Sequence, residues 1–70
     1  MNDNQLKLIL NDFLRKQKPQ FVFDMVSKKY GVELDQFWRV ASDLINTDLK
    51  TKRSIVTDVT TFGMRHKLFG

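Results

Sequence analysis

Pro19 and Gly31 divide the first 46 residues of this chain into three segments, and each segment has a helical pattern. Within each one, apolar side chains recur at spacings of three and four residues, the period of one face of an α-helix. A residue before proline is disfavoured in the helical conformation, whereas proline itself fits the first turn of the next helix. A glycine in the left-handed conformation commonly ends a helix. The sequence therefore predicts helices over residues 4–17, 19–30 and 34–46.

The pattern changes after Asn46. Residues 47–54 are polar and basic, and residues 55–62 are rich in Val, Ile and Thr, a composition that favours a β-strand. Gly63 offers a turn, after which apolar and basic side chains alternate. We therefore expect an α+β fold, mostly α, in which a three-helix core is followed by a short C-terminal β-hairpin. A fourth helix is the alternative, because Ile55, Val59 and Phe62 also fall at helical spacing.

A chain of 70 residues is expected to form a single domain around one core. Domains of this size bury only about 60% of the surface of the unfolded chain, so docking on a partner or homodimerisation is a simple way to gain stability. The apolar positions of the three helices and the hairpin predict the following core: Leu6, Leu10, Phe13, Phe21, Met25, Val26, Tyr30, Phe37, Val40, Leu44, Ile55, Val59 and Leu68.

The stretch from residue 23 to residue 42 resembles the helix-turn-helix family. In this family a glycine bends the chain between two helices, and apolar residues at fixed offsets bury one helix on the other. Gly31 is the glycine, and Ser27 stands where a small residue is needed. The apolar positions are filled by Val26, Tyr30, Val32, Phe37 and Val40. With the predicted hairpin after it, the whole chain resembles a winged helix-turn-helix.

That resemblance implies a small protein that binds double-stranded DNA, either a transcriptional regulator or an architectural factor. In the family, the third helix usually enters the major groove and the wing contacts the phosphate backbone. The net charge of +4 is compatible with a polyanionic partner. DNA contact is expected from polar residues of the third helix and from basic residues after it: Gln36, Arg39, Asn46, Lys50, Lys52, Arg53, Arg65 and Lys67.

The charge of the third helix supports a different partner. Residues 33–46 contain three carboxylates and a single cation, and phosphates repel carboxylates. The acidic residues at the start of this helix also have a purely structural explanation, because carboxylates there complement the positive end of the helix dipole. The alternative hypothesis is a protein-binding adaptor or inhibitor with the same fold, whose contact residues are Asp35, Trp38, Arg39 and Asp43. Trp38 also has a purely structural interpretation, as a partly buried residue of the core. A third hypothesis is RNA binding through the basic loops.

Other classes of function are not expected from these residues. The chain has no cysteine and one histidine, His66, which cannot complete a zinc site alone. It also has no glycine-rich phosphate loop and no nucleophile motif. We therefore expect no catalytic residues, cofactor, metal or small-molecule substrate. A polar N-terminus and the lack of an apolar run of about 20 residues predict a cytoplasmic protein without a membrane span.

Overall fold

The computed structural model describes residues 1–47 and 53–68, and this part of the chain contains four helices and no strand. The helices are α1 (Asp3–Phe13), α2 (Pro19–Tyr30), α3 (Leu34–Thr47) and α4 (Arg53–Arg65). The prediction of a mostly helical fold is confirmed. The predicted first helix is too long, because α1 ends at Phe13 and the chain turns before α2.

Local signals fix the ends of the first two helices. α1 begins with a capping box, in which the Asn2 side chain accepts a hydrogen bond from the Gln5 N–H at 2.8 Å and the Gln5 side chain accepts one from the Asn2 N–H. Pro19 opens α2. Gly31 ends it in the left-handed conformation, with φ 69°, and its N–H donates to the carbonyl of Ser27. The start and end of α2 predicted from Pro19 and Gly31 are confirmed.

The predicted C-terminal hairpin is wrong, since residues 53–65 form α4. Gly63, which we expected in a turn, lies buried inside this helix. The strand preference of Val, Ile and Thr is a weak effect that burial can override. As a helix, the segment buries Ile55, Val59 and Phe62, and it packs against α2 and α3. The described residues therefore contain no wing. For this segment, the helical spacing of its apolar residues predicted the structure better than its strand-favouring composition did.

The core lies between the four helices and is centred on Phe37. The Phe37 ring makes edge-to-face contacts with the rings of Phe23 and Phe62, each at a centroid distance of 5.2 Å. This cluster joins α2, α3 and α4. The buried hydrophobic residues are Leu6, Leu10, Leu14, Val22, Val26, Val32, Phe37, Val40, Ala41, Leu44, Ile55, Val59 and Phe62.

Several core predictions need correction. Phe21 and Tyr30 are 56% and 39% exposed, because α2 buries Val22 and Val26 instead. Phe13, Met25 and Leu68 are only partly buried, at the edge of the core. Leu68 also follows a helix rather than lying in a strand. The general location of the core was predicted correctly, but the buried face of α2 is rotated from the expected one.

α3 packs against all three other helices, most extensively against α1. Its buried stripe consists of Phe37, Val40, Ala41 and Leu44. The opposite side keeps an exposed face, with Asp35, Arg39, Asp43 and Asn46. α3 is thus central to the fold without being covered on all sides.

Candidate nucleic-acid interface

The turn between α1 and α2 meets the C-terminal half of α4. Nζ of Lys18 lies 3.2 Å from a carboxylate oxygen of Asp58, so an ion pair joins the turn to α4. Nε2 of His66 is hydrogen-bonded to Oε1 of Gln20 at 2.7 Å, and the His66 ring also contacts the Phe62 ring, tilted by 43° at a centroid distance of 4.3 Å. These contacts hold the end of α4 beside the start of α2.

A groove of about 260 Å³ lies at this junction. Its apolar lining comes from Pro19 and Phe62, which are buried, and its polar lining includes the exposed Arg65. The complete lining is Lys18, Pro19, Gln20, Asp58, Thr61, Phe62 and Arg65. An anionic group entering the groove would therefore meet two cationic side chains and one carboxylate.

We refer to residues 12–20 and 58–67 together as the basic end. They contain five cations and two carboxylates, a net charge of +3 out of the chain's +4. Both carboxylates are ion-paired within the basic end, Asp12 with Lys16 at 3.2 Å and Asp58 with Lys18. Within the described part of the chain, the remaining cations have no carboxylate partner; they are Arg15, Arg65 and Lys67. Among residues 1–47 and 53–68, the excess positive charge is therefore concentrated in the basic end.

The first turn of α2 adds polar groups to the same place. Lys18 is the N-cap residue, and its side chain makes no capping hydrogen bond. The first N–H groups of a helix have no acceptor within the helix, and they carry the positive end of the helix dipole. Such a terminus favours anions. The start of α2 and the basic side chains therefore both attract an anion.

The residues predicted to contact DNA are distributed over separate regions. Arg65 and Lys67 belong to the basic end. Gln36 and Arg39 contact the start of α1, about 15 Å along that helix from its other end. Asn46 is exposed in the last turn of α3. Lys50 and Lys52 lie outside the described residues; Arg53 is the first residue of α4, and its side chain lies outside them too.

At the start of α1, Gln36 and Arg39 are both engaged with Asp3. Arg39 donates hydrogen bonds to both carboxylate oxygens of Asp3, at 2.9 and 3.0 Å from its Nη2. Nε2 of Gln36 donates to Asp3 and to the carbonyl of Met1, at 3.2 and 2.9 Å. The hydrogen bonds from Arg39 and Gln36 lower the pKa of the Asp3 carboxyl below its ordinary value. The same contact with Asp3 raises the pKa of Arg39.

The residues of the protein-binding hypothesis lie on or beside the same surface. Asp43 forms an ion pair with Lys7 of α1 at 3.3 Å, and Asp35 is exposed. Trp38 is partly buried and packs against the core, as its structural interpretation predicts. Two of the four residues, Arg39 and Asp43, are thus ion-paired with α1, and the hypothesis itself stays a prediction.

Sequence reasoning overlooked Asp3, Lys7 and the groove around Lys18. The basic run of residues 15–18 was visible in the sequence, but only the docking of α4 places it beside Arg65. Asp3 and Arg39 are 36 positions apart, and no local spacing rule connects them. These sites depend on tertiary structure.

No protein-family model matches the chain, and neither a curated protein nor a solved structure matches it. The resemblance to the helix-turn-helix family therefore stays a prediction. Among residues 1–47 and 53–68, no cluster of His, Asp or Glu is suited to hold a metal ion. None of the helices in these two ranges has the length and apolar character needed to cross a membrane.

Proposed function

We propose that this protein binds double-stranded DNA through its basic end and acts as an architectural factor that holds the phosphate backbone. The observation that supports the proposal is the concentration of charge in the basic end, which carries +3 of the net +4 and contains the groove between α2 and α4. The proposed contact residues are the cations of the basic end that have no carboxylate partner among the described residues, Arg15, Arg65 and Lys67, together with the first N–H groups of α2.

The physical basis is the release of counterions. Cationic side chains that neutralise DNA phosphates displace condensed cations, and this term supplies most of the affinity of sequence-independent binding. Phosphate contacts position a protein on the duplex, but they do not read base sequence. A surface made of Lys and Arg side chains around a helix start suits such contacts.

In this proposal, α3 does not act as the DNA-recognition helix that the helix-turn-helix resemblance implies. Gln36 and Arg39 have the donors needed to read bases, but these donors are directed to Asp3. The exposed face of α3 also carries Asp35 and Asp43, which phosphates repel. We therefore assign α3 to the packing of the fold and expect little base specificity. Cytoplasmic DNA is the proposed target.

The test is binding to a random-sequence duplex over a range of salt concentrations. Three cations without a carboxylate partner predict a log–log salt slope of about −3, since each phosphate contact contributes about −0.9. The double variant Arg65→Gln, Lys67→Gln is expected to reduce the slope to about −1. Lys28→Gln, Lys29→Gln is the matched control, because it removes the same charge from the other end of α2 and should keep the slope.

Two results would contradict the proposal. The first is an equal loss of affinity in the two double variants, which would show that net charge matters and its location does not. The second is binding whose strength does not depend on salt. Single-stranded RNA should compete less well than duplex DNA, and equal or stronger competition would favour the RNA-binding hypothesis.

A further inference from the structure

Four charged residues form an alternating pattern where α1 and α3 lie side by side. The two helices run in the same direction there, because Asp3 faces Arg39 and Lys7 faces Asp43. Charges therefore alternate along α1, along α3 and across the contact between the helices. We call these four residues the charged seam. All four remain accessible, with side-chain exposures of 38% to 64%.

Two grooves border the charged seam. The first has a volume of about 440 Å³ and is lined by Asp3, Asn4, Lys7, Arg39, Val40 and Asp43. The second, of about 290 Å³, is lined by Asn4, Lys7, Leu8, Asn11 and Leu44. They are neighbours, since Asn4 and Lys7 line both. Leu8 is 74% exposed beside them, in the middle of α1.

We propose that a second copy of this chain docks on the face formed by the charged seam and Leu8. The argument is charge complementarity, because the alternating pattern matches itself. With a two-fold axis that crosses α1 and α3, Asp3 meets Lys7 of the second copy and Arg39 meets Asp43. With an axis parallel to the helices, Asp3 meets Arg39 and Lys7 meets Asp43. In both arrangements each acid meets a base, as an isologous contact requires.

The size of the molecule permits such a contact. A standard interface takes about 800 Å² from each partner, roughly one sixth of the 4701 Å² surface of this chain. The charged seam lies at the centre of this contact, and Leu8 and the asparagines lie beside it, where Leu8 adds apolar contact area. Because most of this face is polar, the dimer is expected to be weak and in exchange with the monomer. The inference goes beyond DNA binding and does not depend on it, since the basic end lies at the other end of α1.

The first test is sedimentation equilibrium from about 10 µM to about 1 mM, the range in which a weak dimer exchanges with its monomer. The average mass should rise with concentration from 8.3 kDa towards twice that value. Leu8→Glu should keep the chain monomeric throughout. Met64→Glu is the matched control, because Met64 is 67% exposed on α4 and its substitution should leave the association unchanged. A wild-type chain that stays monomeric at 1 mM would overturn the proposal.

A second variant tests the charge pattern itself. Exchanging both pairs (Asp3→Arg, Arg39→Asp, Lys7→Asp and Asp43→Lys) preserves the ion pairs within one chain. The exchanged protein should dimerise with itself, but like charges would face each other in a mixed dimer with the wild type. Native mass spectrometry of an equimolar mixture should therefore show the two homodimers with mixed dimers strongly depleted. Mixed dimers in the statistical proportion would overturn the proposal, and circular dichroism verifies that the variant is folded.

Discussion

Nη2 of Arg39 on α3 donates hydrogen bonds to both carboxylate oxygens of Asp3, the first residue of α1, at 2.9 and 3.0 Å. Gln36 reinforces this contact, and Lys7 pairs with Asp43 one turn further along both helices. The exposed polar side of α3 is thus used to hold α1. This arrangement is the structural reason for placing DNA binding at the basic end and not on α3.

The Asp3–Arg39 contact predicts a specific acid titration. The hydrogen bond from Arg39 lowers the pKa of the Asp3 carboxyl in the folded state, so the contact stabilises the fold above the unfolded pKa. That contribution is lost as the pH falls through the folded pKa. In Arg39→Met, we expect the pKa of Asp3 to return towards its ordinary value, measured by NMR of the side-chain carboxyl carbon. An unchanged pKa would contradict the contact, and Arg15→Met is the control.

The backbone of Gly31 predicts the cost of adding a side chain there. A Cβ at this position would meet no atom within 4 Å, so the cost comes from the φ of +69° alone. An L-residue in the left-handed region costs about 1–2 kcal/mol, and asparagine tolerates it better than alanine. We expect Gly31→Ala to lower the free energy of unfolding in urea by about 1 kcal/mol, and Gly31→Asn by less. Equal stability of Gly31→Ala and the wild type would show that α2 ends differently.

The aromatic cluster predicts that Phe62 is essential to the docking of α4. Its side chain is buried, and its ring contacts the rings of Phe23 and Phe37. Phe62→Leu should reduce the free energy of unfolding by about 1–2 kcal/mol, through lost contacts and a residual cavity. Phe21→Leu is the matched control, since Phe21 is 56% exposed, and it should change stability by less than about 0.5 kcal/mol. Similar effects of the two substitutions would contradict this packing of α4.

Asp58 provides a test of the basic end by gain of function. Its carboxylate pairs with Lys18 inside the groove, so Asp58→Asn removes the negative charge there and leaves Lys18 without its partner. We expect tighter binding to duplex DNA and a salt slope steeper by about one unit. Asp35→Asn is the control, because it makes the same charge change at an exposed position of α3, away from the groove. If Asp35→Asn strengthens binding equally, the groove has no special role.

The sequence predicted those parts of the fold that are encoded locally. Pro19 and Gly31 act on their own neighbours, so the limits of α2 follow from a few residues. α4 could not be assigned in the same way, because its Val and Thr content favours a strand. Its helical form depends on burying Val59 and Phe62 against residues far away in the chain. Lys18 and Asp58 are likewise far apart in the sequence, so their ion pair could not be predicted from local spacing.

A helix built from residues that prefer an extended backbone has a consequence for folding order. Val, Ile and Thr give residues 53–65 a low intrinsic tendency to be helical, and isolated helices of this length are marginal even with good helix formers. We therefore expect α4 to be helical only when it packs against α2 and α3. It should form late during folding and detach early under denaturing conditions, which would remove one wall of the groove before the rest of the chain unfolds.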